Sequence, residues 1–175
     1  MTAPEWSRRE RIDQIGVDER AIAIEADEAE RAGVARRFDL VAVEQLGADF
    51  VVRRDAAGVL ATGRVRARVV QACSITGDPL TQDIDEAVAL RFVEPAAGEE
   101  EVELGHDALD TIEVEDGMID LGEAAAETVA LALDPFPRSP RAADVLRDAG
   151  VISEEEAKPK GALAGLGALL ARNDP

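Results

Sequence analysis

The chain has 175 residues and a formal net charge of −18, with 46% hydrophobic residues but only 3% aromatic ones. That length supports one hydrophobic core, which must be built from Ala, Val, Leu and Ile, and pockets that stack bases or sugars on rings are disfavoured. The single cysteine, Cys73, excludes an internal disulfide, and the only two lysines, Lys158 and Lys160, leave the body of the chain without lysine-based covalent chemistry.

Residues 1–20 are dense in charge and lack an apolar centre, and no run anywhere approaches the roughly 18 apolar residues of a membrane span. A cytoplasmic location is the expectation, with no membrane and no DNA among the partners. Charge is unevenly spread: residues 1–72 hold 12 basic and 13 acidic side chains, 73–135 hold 1 and 18, and 136–175 hold 6 and 6. The middle segment therefore carries −17 of the −18. A surface of that sign repels phosphate backbones and attracts basic proteins. Acidity that serves solubility alone is the plain alternative.

In chain order, residues 6–15 place Arg8, Arg9 and Arg11 among apolar positions and read as an edge strand. Residues 24–37 read as a charged surface helix, with Ile24, Glu28, Ala32 and Ala35 near one face. The pattern then turns to strands over 40–46, 50–54 and 60–72, separated by the turn-type clusters 47–49 and 55–58. In the third run Val65, Ala67 and Val69 alternate with Arg64, Arg66 and Arg68, so three arginines share one face.

After a turn at 73–79 the next strand, 80–93, puts Ile84, Val88, Leu90 and Phe92 inward and Asp83, Asp85 and Arg91 outward. Antiparallel pairing would then set Asp83 and Asp85 beside Arg66 and Arg68, an ordinary cross-strand charge pairing. Residues 94–105, rich in glutamate, read as a solvated loop, and 111–114 as a short strand returning through the turn Asp116-Gly117 to Met118-Ile119. Asp120 followed by Glu123 opens a helix to about residue 133, with Leu121, Ala125, Val129 and Ala132 on one face, and Asp134-Pro135-Phe136-Pro137 ends it. Residues 1–137 thus read as one α+β domain, and 138–175 as a weakly structured tail whose Ala/Leu/Gly segment at 161–171 could be a docking helix.

Catalytic patterns are missing. A Ser or Cys nucleophile needs a neighbouring base, and the one histidine, His106, lies in the acidic loop. Structural zinc needs four Cys/His ligands, where only Cys73 and His106 exist. A calcium loop centred on Gly117 would place Ile112 and Val114 at ligand positions. Neither a phosphate-binding glycine motif nor a dinucleotide fingerprint occurs. The expectation is a binding protein with no cofactor and no metal.

Two ordered blocks carry a resemblance. The first runs Arg-Val-Arg-Ala-Arg-Val-Val-Gln-Ala-Cys-Ser-Ile-Thr-Gly-Asp-Pro-Leu from Arg64 into the strand that ends at Val93; the second is Asp116-Gly-Met-Ile-Asp-Leu-Gly-Glu, a helix, then Leu-Ala-Leu-Asp-Pro-Phe-Pro to Pro137. Together they resemble the YceD family, the large ribosomal RNA subunit accumulation proteins of bacteria and plastids. The resemblance implies a part in large-subunit rRNA accumulation, through ribosome assembly, with no catalytic residue or cofactor to carry over. Many relatives have Cys-x-x-Cys at the turn; here Thr76 follows Cys73 by three residues, which removes the second thiol a redox or metal role would need. Cys73 is then expected to be a small buried or turn residue.

The fold expected is α+β, a curved antiparallel sheet, meander-like or barrel-like, flanked by two or three helices. The function expected is a non-enzymatic assembly factor that binds a basic ribosomal or assembly protein through Glu99, Glu100, Glu101, Glu103 and Asp116. The alternative is direct contact with precursor large-subunit rRNA through Arg8, Arg9, Arg11, Arg64, Arg66 and Arg68. A third reading, from a different class, is a hydrolase using the acidic cluster with magnesium.

Overall fold

Three long runs of period-two alternation, each with one apolar face, dictate the centre of the molecule. In the computed structural model, which describes residues 4–94, 110–114 and 116–151, they form the strands β3 (Ala42–Asp55), β4 (Gly58–Ala72) and β5 (Pro79–Val93). These pair antiparallel, β3 to β4 across the tight turn between Asp55 and Gly58. The shorter β2 (Arg20–Glu25) joins β3 antiparallel, and β6 (Asp110–Glu113) joins β5 parallel, giving a five-stranded sheet in the order β2-β3-β4-β5-β6. A second, two-stranded sheet pairs β1 (Arg9–Arg11) with β7 (Met118–Asp120). Three helices complete the α+β fold: α1 (Glu28–Arg37), α2 (Leu121–Ala132) and α3 (Ala142–Asp148).

One face of the large sheet is buried. Phe50, Val52, Val65, Val69 and Phe92 of the sheet share one core with Leu121, Ala125 and Val129 of α2, with Trp6 fully enclosed. The helix face expected from the 3.6-residue period is therefore the one that packs, Ala132 being only partly covered. Asp120 caps α2 as the sequence predicted, its carboxylate accepting from the N–H of Gly122 and Glu123. The helix α1, whose Val34 and Ala35 join the same core, begins with a capping box in which Asp27 and Glu30 satisfy each other's backbone N–H.

Several expectations needed correction. The sheet is open, with β2 and β6 at its edges, so the barrel-like form is not what forms. It is mostly antiparallel, but the β5/β6 junction is parallel. Residues 20–25 are a strand rather than the approach to a helix that begins at 24: Ile22 and Ile24 alternate with Ala21 and Ala23 and face the core beside Phe50 and Ala48. The turn expected at 47–49 does not exist, because Leu46, Ala48, Phe50 and Val52 keep period two across it and all are buried. At Gly47 the strands come close: a Cβ would stand 3.1 Å from the Ile24 carbonyl oxygen, a tight contact.

The strand expected over 6–15 contracts to three residues followed by a single 3-10 turn. Asp116 and Gly117 do form a left-handed turn, with φ of 54° and 68°, but its return strand pairs with β1 instead of β6. Val114 and Ile119, on either side of this turn, are both buried. The acidic loop and the 161–171 segment fall outside the described residues. Past Pro137 the chain continues into α3, with Ser139 and Ala142 buried. No helix among the described residues is long and apolar enough to cross a membrane.

Candidate functional site

The outward face of the β4/β5 hairpin carries the arginines singled out in the sequence. The register sets Arg66 opposite Asp85 and Arg68 opposite Asp83, as alternation required. Side chains then choose among neighbours on three strands. Arg64 reaches Asp85 at 2.8 Å, Arg66 reaches Asp49 at 2.6 Å with Asp85 at 3.8 Å, and Arg68 lies 3.2 Å from Glu44 and 3.7 Å from Asp83. Glu44 joins because a bulge between Val43 and Gln45 adds a residue to β3 there. Three arginines face four carboxylates, so the face is a ladder of opposite charges. The Arg64 hydrogen bond holds the Asp85 carboxyl below its ordinary range. A shallow open depression of about 720 Å³ crosses this face, floored by Ala23 and Gly47 and rimmed by Asp49, Arg66, Asp83 and Asp85.

The N-terminal arginines are equally engaged. Arg8 grips Glu30 with two nitrogens at 2.6 and 2.9 Å and bonds the Glu25 carbonyl, Arg9 lies 3.8 Å from Asp120, and Arg11 holds Asp13. Hydrogen bonding to Arg8 lowers the Glu30 pKa and raises that of the guanidinium. The two arginine sets share no carboxylate. Of the acidic candidates only Asp116 is described; it is exposed at the turn before β7, and Glu99, Glu100, Glu101 and Glu103, like His106, lie outside the described residues. Sequence reasoning passed over Glu86 and Asp110, which take part in no ion pair among the described residues; the brevity of β6 is the signal that exposes them.

The two sequence blocks meet in space. Ser74 donates from both its N–H and hydroxyl to the Pro137 carbonyl, at 2.8 and 3.1 Å, and Gln71 and Gln82 bond the carbonyls of Asp134 and Ala132. Cys73 is buried in this clasp, its sulfur accepting from the N–H of Ser139 at 3.2 Å and of Thr76 at 3.4 Å. Thr76 and Ser139 hydroxyls share Asp78, which Arg141 also approaches at 3.5 Å. Burial raises the Cys73 pKa, but hydrogen bonds from Thr76 and Ser139 outweigh it and bring the thiol down to about 6. Among the described residues no three His, Cys, Asp or Glu side chains are grouped as metal ligands.

A family model described as large ribosomal RNA subunit accumulation protein YceD matches residues 61–170. The chain belongs to the YceD family. The match begins inside β4 and takes in β5, β6, β7, α2 and α3, so the clasp between the Cys73 turn and the chain after α2 lies wholly within it. β2 and β3, which complete the YceD sheet here, lie outside it. No curated protein and no solved structure matches the chain. The family ties the protein to accumulation of the large ribosomal RNA subunit.

Proposed function

We propose that this YceD protein is a non-enzymatic, cytoplasmic factor that supports large-subunit rRNA accumulation by binding a basic ribosomal or assembly protein through its acidic surface. The observation that carries the reading is the pairing of Arg64, Arg66 and Arg68 with carboxylates at 2.6 to 3.2 Å, in a chain of net charge −18. A guanidinium already paired with a carboxylate must give up that partner to take a phosphate, and the four acids beside it repel the phosphate backbone. Charge attraction between the acidic surface and a basic protein would speed encounter, with apolar contacts fixing specificity.

The test is affinity capture of the tagged protein from its host cells at moderate salt, with and without RNase. A basic ribosomal or assembly protein that stays bound after RNase is the expected result. Loss of every partner on RNase treatment, with precursor large-subunit rRNA enriched in the untreated sample, would overturn it in favour of direct RNA contact through the arginines.

A further inference from the structure

The proposal of a basic protein partner leaves open where and how that partner is held, and the sheet edge at β5 supplies an answer. β5 is paired along one side with β4 from Pro79 to Phe92, but β6 covers its other side only at Leu90–Val93. The ten residues from 80 to 89 thus present every second backbone N–H and C=O outward with no strand partner among the described residues. At about 3.3 Å per residue that is an edge of roughly 33 Å. Unpaired edges of this length are templates for another strand.

A groove of about 280 Å³ opens beside this edge, between Glu86, Val88 and Leu90 of β5, Asp110 of β6, and Thr128 and Leu131 on α2. Leu131 is 86% exposed, the most exposed large apolar side chain of the described body. The last turn of α2 is held over the strand by the Gln82 side chain, which donates to the Ala132 carbonyl at 3.2 Å. We infer that the outer edge of β5 is a strand-addition site that takes an extended basic segment of the partner protein. Successive residues of an added strand face opposite sides of the sheet. One set would lie on the side of Asp83 and Asp85, which the arginines of β4 already pair, and the other would meet Glu86 and Asp110 together with the apolar groove at Leu131.

The chemistry of the edge selects this occupant. A second copy pairing edge to edge would set Asp83, Asp85 and Glu86 against their own kind, which directly opposed like charges disfavour. The chain's own connection between β5 and β6 is acidic as well, with Glu99, Glu100, Glu101, Glu103 and Asp107.

This inference rests on the basic-partner reading and is tested apart from it. The probe is a ten-residue peptide of alternating Lys and Val, titrated into the full-length protein at about 0.15 M salt, beside the same peptide N-methylated at every backbone amide. Expected are protection of the outward-facing amides of 80–89 from deuterium exchange by the first peptide and at least about tenfold weaker binding of the second, about 1.4 kcal/mol. Surface variants Glu86→Lys and Leu131→Ser should each weaken the first peptide by about tenfold. Equal binding of the methylated peptide, or outward-facing amides of 80–89 (those not bonded to β4) already protected in the free protein, overturns the inference. If a basic partner is captured from cells equally by wild type and both variants, the partner reading stands and this edge is not its seat. If no basic partner is captured at all, the reading itself fails, whatever the peptide does.

Discussion

Removing the Asp120 carboxylate tests whether the N-terminal segment, which the family match does not include, is integral to the fold. Asp120 caps α2, accepts the Arg8 N–H at 2.8 Å and the Ser7 hydroxyl, and has Arg9 at 3.8 Å. The chain from Trp6 to Arg8 crosses directly over the first turn of α2: a Cβ on Gly122 would stand 2.8 Å from the Trp6 carbonyl oxygen, and Leu121 donates to the Arg8 carbonyl at 3.1 Å. For Asp120→Ala, losing the cap costs about 1 kcal/mol. Leaving the Arg8 N–H without its charged acceptor costs about 1–2 kcal/mol more. The expected sum of about 2–3 kcal/mol corresponds to a Tm lower by about 5–10 °C for a chain of this size. Asp120→Asn keeps an oxygen for the caps and should lose about half as much. The assay is urea and thermal unfolding at pH 7, followed by fluorescence of Trp6, the only tryptophan and fully buried. A midpoint for Asp120→Ala within about 0.5 kcal/mol of wild type would refute the claim that this carboxylate ties the N-terminus to α2.

At Gly63 an added Cβ would stand 2.0 Å from the Asp49 carbonyl oxygen, a backbone atom of the paired strand, so Gly63→Ala should cost about 2–3 kcal/mol in urea unfolding, whereas the same change at exposed Gly16 should be nearly neutral. Glu30, held below its ordinary value of 4.5 by Arg8, gives stability that is complete above that value and is lost as pH falls through the lower folded-state pKa. The difference in melting temperature between wild type and Glu30→Gln should therefore be constant from pH 7 to 5 and shrink in more acidic buffer. The Cys73 thiolate absorbance at 240 nm should titrate near pH 6 in the folded protein and near 9 after denaturation; reaction with a bulky disulfide reagent should still be slow, because the sulfur is buried.

The parts of this fold that could be read from the sequence are those governed by local geometry. A six-residue turn, 73–78, between two strands that alternate with period two set Arg66 against Asp85 and Arg68 against Asp83. Asp120 announced α2 through the cap chemistry of its first turn. What could not be read depended on distant partners. Ile22 and Ile24 suit a strand or a helix face equally until Phe50 and Ala48 lie beside them. Gly47 looks like a turn residue, yet it lies within β3, close to the Ile24 carbonyl on another strand. The parallel pairing of β6 and the departure of β7 to β1 are choices of topology that a four-residue run and a three-residue run cannot encode by themselves. The same limit applied to the acids: which of them are neutralised and which are free follows from which strands neighbour β5.

β5 is the boundary between two charge systems with different physical consequences. On its β4 side, acids and arginines stand within 4 Å of one another, so their fields largely cancel beyond the sheet surface and they act through short contacts that fix register. On its free side, Glu86 and Asp110 have no such partners among the described residues, and nearly all of the net charge is carried by the segment from 73 to 135. An uncancelled field of one sign reaches about one Debye length, about 8 Å at physiological salt, and can draw a basic segment toward the edge before any backbone hydrogen bond forms. The same residue type thus stabilises a strand pair on one side of β5 and would orient the proposed partner on the other, where among the described residues no strand lies beside 80–89.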